Sequence, residues 1–352
     1  MNEMSGTNWF YRLLFSLLIL FLLLIFTVVF SITLGSAAVT PWTALKVLFS
    51  YLTGGTAFIH SGVDPAVQVI ILQIRLPRVI LALFVGAALS TAGAALQGFL
   101  RNPLADPYTL GVSSGAAVGA AFTLIILRPG STLAAAGLPL AAFLGALVTG
   151  VLVYYLAQIE GYLAVETLIL AGVIMSSFMS AILSYLLTVA GENLHQIIYW
   201  LMGNLALRGS EYLIYTLPYL VGGITLICFF GRELNIMTFG EETAGQLGVA
   251  VEKTKRILLL LATLLTGIAV ALAGTIGFVG LIVPHLVRLL LGPDHRVLLP
   301  VSAVGGGIFL IWADTIARTM LAPVELPVGV VTAFLGAPFF VYLLRTRKRR
   351  GF

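Results

Sequence analysis

The chain has 352 residues, of which 60% are hydrophobic and 9% charged, with a mean hydropathy of +1.08 and a net charge of +5. A soluble domain carries about 25% charged residues, so this composition excludes a buried core under a polar skin and points to repeated membrane crossing. The positive balance then bears on orientation in the membrane and not on nucleic acid.

The first predicted span runs from Leu13 to Leu34, a predominantly apolar run of 22 residues without a charge, or about 33 Å of helix. GSAAV behind it resembles a signal-peptidase site. The apolar stretch exceeds the roughly 7–15 residues of a signal-peptide core, so a retained span is expected. Residues 35–76 follow as an external loop. Within them TPWTALKVLF offers Thr40 as N-cap and Pro41 at the first helical position. Trp42, Leu45, Leu48 and Phe49 give that helix an apolar side suited to the membrane interface.

Arg75 and Arg78 flank Pro77 at the head of the second span, 77–99. Along it Gly86, Ser90, Ala94 and Gly98 recur every four residues, a small-residue stripe that lets helices approach closely in a bundle. Further spans are expected at 109–127, 137–158, 167–190, 212–230, 256–275, 300–317 and 327–344. Between them 276–291 is too short to cross comfortably and carries Pro284; it reads as a short, partly buried eighth helix. The expectation is an all-α polytopic membrane protein, residues 1–352 forming one transmembrane domain of about ten helices. Gly329, Ala333 and Ala337 repeat the small-residue spacing in the last span. AGAALQGFLRNP (92–103) and AGTIGFVGLIVP (273–284) share a spacing and would run in opposite senses, as an inverted repeat does.

With both termini cytoplasmic, thirteen of the 19 Lys and Arg residues fall on the cytoplasmic side, the positive-inside pattern. Lys46, Arg75, Arg78, Arg128, Arg208 and Arg318 stay outside. The cytoplasmic loop 231–255 is the most charged internal stretch. It is either a solvated connector or a short helix offered to a partner, with Ala244, Leu247 and Gly248 beside the carboxylates.

No GxxxxGK[ST] loop, HExxH pair or Cys/His cluster is present. His60, His195, His285 and His295 lie on different segments, and Cys228 has no intrachain partner. Asp314 is the clearest acid within a span, and Arg318 four residues on suggests a local ion pair. That is poor provision for an ion-coupled secondary transporter, and no polar cluster suggests a membrane-embedded enzyme.

RLPR (75–78), NPLADP (102–107), LGVSSGA (110–116), LAGV (170–173), GEETAGQLGV (240–249), ALAGTIGFVGLIVPHLVR (271–288), DHRVLLP (294–300) and ELPVGVVTAFLGAPFF (325–340) resemble the iron-chelate and cobalamin uptake permeases. Those are membrane subunits of binding-protein-dependent ABC importers, and the match runs from about residue 70 to the C-terminus. The resemblance implies a multi-pass subunit of the bacterial inner membrane, without catalytic chemistry or a cofactor of its own. Its implied partners are a second permease (an identical copy is expected), two cytoplasmic ATPases that carry ATP and Mg, and an external substrate-binding protein. Arg75, Arg78 and Arg318 correspond to the family's arginines that pair with glutamates of the binding protein; the planar guanidinium suits such carboxylates. Glu241, Glu242, Ala244 and Gly248 fall in the family's ATPase-coupling segment. The fifth and tenth helices line the path, here about 167–190 and 327–344. Val165 and Glu166 stand at the inner gate, where some relatives have small hydroxyl residues, and Met175, Ser176, Phe178 and Met179 are candidates to face cargo. The expected cargo is a ferric siderophore, with cobalamin or haem as alternatives.

Overall fold

The structure, a computed structural model, describes residues 8–35, 39–52, 63–127, 131–206 and 210–349. Helix α1 (Asn8–Thr33) is followed by α2 (Pro41–Leu52). Then α3 (Pro65–Val69) runs through a π-helical turn, Ile70–Arg75, into α4 (Leu76–Phe99). A 3-10 turn at Pro107–Leu110 leads to α5 (Val112–Ile126) and α6 (Thr132–Ala157). A minimal hairpin, β1 (Gln158–Ile159) and β2 (Tyr162–Leu163), precedes α7 (Val165–Val189) and α8 (Leu194–Leu201). The rest comprises α9 (Ser210–Phe229), α10 (Gly231–Met237), α11 (Glu241–Gln246), α12 (Val251–Ala273), α13 (Val279–Leu291), α14 (His295–Thr319) and α15 (Val328–Arg349).

Among the described residues, seven helices are long and apolar enough to cross a membrane: Trp9–Thr33, Pro65–Phe99, Ala136–Ala157, Val165–Val189, Tyr212–Phe229, Val251–Ala273 and His295–Thr319. Two more apolar helices, Val112–Ile126 and Val279–Leu291, fall short of the about 20 residues that a span needs, while the apolar stretch Val328–Leu343 belongs to the 22-residue α15. The expected short helix at 276–291 is present as α13, and the span expected at 109–127 is a second short one, the 15-residue α5. Turn chemistry causes the shortening. Before α5, Gly111 takes φ +74°, and before α13, residues 274–278 leave the helix altogether. The loop 231–255 is likewise no loop: it holds α10, α11 and the first turn of α12.

Helix α4 is the centre of the bundle, with 83% of its apolar window buried. Its small residues bring backbones into contact. A Cβ on Gly86 would sit 2.2 Å from the Gly306 carbonyl oxygen of α14, and one on Gly93 would sit 2.1 Å from that of Gly280 on α13. Ser90 and Ala94 are fully buried between them. The matching stripe on α15 is only partly realised: Gly329 abuts the Met202 carbonyl and Gly336 the Phe278 ring, but Ala337 is exposed. The two echoing segments do not share a conformation either. Residues 92–99 are helix followed by a turn, whereas 274–278 are irregular and followed by helix, so this spacing marks no structural repeat.

Two ends of the bundle can be told apart. Helices α4 and α14 run antiparallel, since Gly98 meets His295 while Arg78 meets Asp314. The 24-residue α4 separates those ends by about 36 Å. Helix α1 lies along α14 with only 11% of its apolar window buried. It is fastened at one end by Arg12, which donates to the Leu291 carbonyl, and by Arg296 stacked 4.7 Å from the Trp9 ring centre. Trp312 Nε1 donates to Thr27 Oγ1 (3.1 Å), and Ser31 and Thr315 share a hydroxyl hydrogen bond (2.8 Å) towards the other end. In α2, Thr40 Oγ1 accepts from the Thr43 N–H as expected of an N-cap. Trp42, Leu45 and Phe49 are uncovered.

Candidate functional site

The irregular segment 274–278 is held in place by its neighbours. Gly274 adopts φ +70° with its Cα pressed on the Trp200 carbonyl, where a Cβ would be 2.3 Å away. Asn204 N–H donates to the Ala273 carbonyl (2.7 Å), Val328 N–H to Gly203 and Gly329 N–H to Met202. Tyr108 completes the knot: its hydroxyl donates to the Ile276 carbonyl and accepts from the Ile276 N–H, both at 2.9 Å. Backbone that leaves its helix inside an apolar bundle must find partners or line a cavity. Here it does both. A recess of about 500 Å³ opens beside it, lined by the hydroxyl-bearing Tyr108, Ser113, Ser114 and Thr275 and by Phe278, Met202 and Ala333. Asp106, buried and accepting from the Tyr108 N–H (2.9 Å), caps the 3-10 turn that delivers Tyr108. Burial pushes its carboxyl up to about 6, and burial together with Asp106 raises the Tyr108 hydroxyl.

Helix α7 reaches the recess only through Leu183. Met175 and Met179 are packed inward, and Ser176 stands half-buried against Gly111. Of the four side chains expected to face cargo, Phe178 alone is exposed. The uncovered face of α7 instead carries Ser177, Ser180, Ser184 and Thr188. Ser184 and Thr188 each donate 2.9 Å back to a carbonyl one turn earlier, which leaves oxygen lone pairs outward. Their four-residue spacing was the available signal. Val165 and Glu166 form the first turn of α7, next to the hairpin.

At that same end of the bundle lie the predicted coupling residues. Ala244 is fully buried, so it packs α11 and cannot touch a partner; Gly248 is exposed at φ +84°. Glu242 points outward and Glu241 turns towards Lys255, at 2.5 Å. Phe239 and Leu247 flank α11 with 75% and 61% of their surface uncovered. Large apolar side chains beside a charged helix are the kind of anchor that protein interfaces bury.

At the opposite end the three predicted docking arginines come together, but facing inward. Arg75, Arg78 and Arg318 are 5%, 8% and 7% exposed, so in the single chain their guanidinium groups are spent on internal partners. Arg78 grips Asp314 with Nε and Nη2 (3.0 and 2.8 Å) and reaches Glu325 with Nη1 (2.8 Å). Arg318 is more distant from Asp314, at 3.6 Å, so the local pair is secondary. Its guanidinium donates instead to the Ser31 carbonyl (2.5 Å) and the Leu34 carbonyl (3.1 Å), while Arg75 donates to Ile32 (2.6 Å) and Thr33 (3.3 Å). These are the carbonyls that the end of α1 leaves unpaired, and a cation is favourable there. Glu325, with its side chain 39% exposed, is the cluster's outward acid. Arg128, Arg208 and His60 lie outside the described residues.

A model of the FecCD transport family matches residues 23–346. An uncharacterised ABC transporter permease of Bacillus subtilis (strain 168) is 45% identical over 92% of both chains. A cobalamin import system permease of Halobacterium salinarum is 47% identical over 88% of this chain and 81% of its own. A hemin transport system permease of Yersinia pestis is 41% identical, covering 83% and 88%. Among solved structures, an inward-facing metal-chelate type ABC transporter superposes with a TM-score of 0.80 at 32% identity, over 93% of this chain and 97% of that one.

Proposed function

The chain belongs to the FecCD transport family, and we propose that it is the multi-pass permease of an ABC importer that moves a metal chelate inward. The observation that carries this reading is the hydroxyl-lined recess of about 500 Å³ beside a broken helix, the kind of backbone interruption at which transporters bind cargo. The recess opens to the side of a single chain, and the neighbouring faces of α7 and α15 are uncovered. A second copy set against them would close it into a shared path. Two ATPases, which carry the ATP and Mg, dock at the α11 end. An external binding protein delivers cargo at the arginine end, and both termini are cytoplasmic. For docking through Arg78, a carboxylate of the binding protein would have to displace Glu325.

Among relatives with a named cargo, the one for cobalamin is 47% identical, and those for hemin (41%), Fe(3+)-citrate (40% and 36%) and iron(3+)-hydroxamate (38%) follow close together. The cobalamin relative favours a large metal macrocycle, with a ferric siderophore as the second reading. The test measures binding of cobalamin, haem, ferric hydroxamate and ferric citrate to the cognate binding protein, then uptake into vesicles holding the full transporter. ATP-dependent uptake of one chelate is expected. Uptake driven by an ion gradient without ATP would overturn the reading in favour of a secondary transporter.

A further inference from the structure

Lys255 is the most buried cation among the described residues, 1% exposed in the first turns of α12. Its ammonium donates to three oxygens on three elements: Glu241 of α11 at 2.5 Å, the Leu163 carbonyl of β2 at 3.0 Å, and Glu252 of α12 at 3.2 Å. Glu252 uses its other oxygen to accept the Leu163 N–H, at 2.8 Å. Both backbone polar groups of Leu163 are therefore fixed by α12. A second clasp, from Arg256 to the Gly161 carbonyl, holds the hairpin turn. Leu163 is two residues from the first residue of α7, and its side chain is buried.

We infer that Lys255 is a positioning residue that makes the start of α7 follow the position of α11. The hairpin is too short to have a core of its own, with two residues per strand, so its place is set by these bonds. Glu241 is the single side chain of α11 that reaches the ammonium. A shift of α11 either carries Lys255, and with it Leu163, or breaks the 2.5 Å contact with Glu241. Losing Glu241 would leave the buried ammonium with the longer contact to Glu252, at 3.2 Å, as its one remaining carboxylate. The link needs no contact between the partner and α7 itself. It deepens the proposed function and rests on the reading of α11 as the ATPase-facing helix.

The test uses the complete transporter, with its ATPase and binding protein, in vesicles. Glu241→Gln removes only the arm from α11 and leaves the Lys255–Glu252–Leu163 staple in place; Lys255→Met removes the whole junction. Expected are complexes of normal composition that hydrolyse ATP while uptake per ATP falls at least about fivefold, the low end of coupling between sites. Lys255→Arg should recover part of the loss. If Lys255→Met does not fold, Glu241→Gln decides. Unchanged uptake per ATP in Glu241→Gln overturns the proposal. A wild-type ATPase complex in a Phe239→Ala, Leu247→Ala double variant would instead remove the reading of α11 on which it rests, a separate outcome.

Discussion

Arg78 donates from Nε to Asp314 Oδ2 and from Nη2 to Oδ1 although the two residues are 236 positions apart in the chain. The pair ties the head of α4 to the tail of α14, and Asp314 is 1% exposed. Removing one member strands the other. Asp314→Ala should therefore cost about 3–5 kcal/mol, seen as a lower melting temperature and yield in detergent. Glu325→Gln, at a half-open site, should cost no more than about 1 kcal/mol.

The same pair gives a docking test. Glu325→Gln releases one arm of Arg78 without unfolding the cluster. If a carboxylate of the binding protein takes that arm, affinity should rise and become more sensitive to salt. Titration of the binding protein at low and high ionic strength reads this. Identical affinity in both proteins would take Arg78 out of the docking surface.

On the partner face at the other end, Phe239→Ala with Leu247→Ala should weaken the ATPase complex by about 2 kcal/mol or more, as truncated apolar anchors do. Co-purification yield against ATPase concentration measures it. Gly248→Ala should weaken it less, through strain at φ +84°.

Ser90 touches the Gly306 backbone position of α14. Ser90→Leu should overpack this contact and cost about 1–3 kcal/mol, or prevent folding. Thermal unfolding in detergent checks it; wild-type stability would mean that the helices can separate freely.

Asp106 supplies a pH test. Its folded carboxyl titrates at about 6, above the ordinary value near 3.9. The folded state thus holds the proton more tightly than the unfolded one. This contribution to stability is fully present below pH about 4 and lost as pH rises through 6. Asp106→Asn retains an acceptor for the Tyr108 N–H and removes the titration. Its melting temperature should vary less between pH 4 and 7, and exceed that of the wild type at pH 7.5.

Composition and hydropathy were enough for the all-helical class and the approximate places of the helices, because 20-residue apolar runs have few alternatives. Helix faces were not readable in the same way. On α7 apolar side chains occur all round, so period alone could not separate the packed Met175 and Met179 from the uncovered Ser177 and Ser184. The stripe on α4 was readable because Gly and Ser matter there by size. The break at 274–278 was legible, since the spans read at 256–275 and 276–291 part there, whereas the length lost at the head of α5, where Gly111 turns at φ +74°, was not. The residues quoted from RLPR and GEETAGQLG fell at opposite ends, as expected, but their partners did not follow from spacing. Lys255 with Leu163, and Arg78 with Asp314, are meetings between distant segments that only the packed bundle decides.

Helix α1 behaves as a tie-rod. It touches the bundle along one side, yet Arg12 and Trp9 anchor its beginning, and Arg75 and Arg318 hold its last carbonyls. A rod bolted at both ends fixes the length between the bolts. The arginine end of α4 and α14 therefore cannot slide along α1 relative to their other end without stripping carbonyl hydrogen bonds. The three helices are thereby tied into one frame, and α7 and α15 on either side of the recess take no part in those ties.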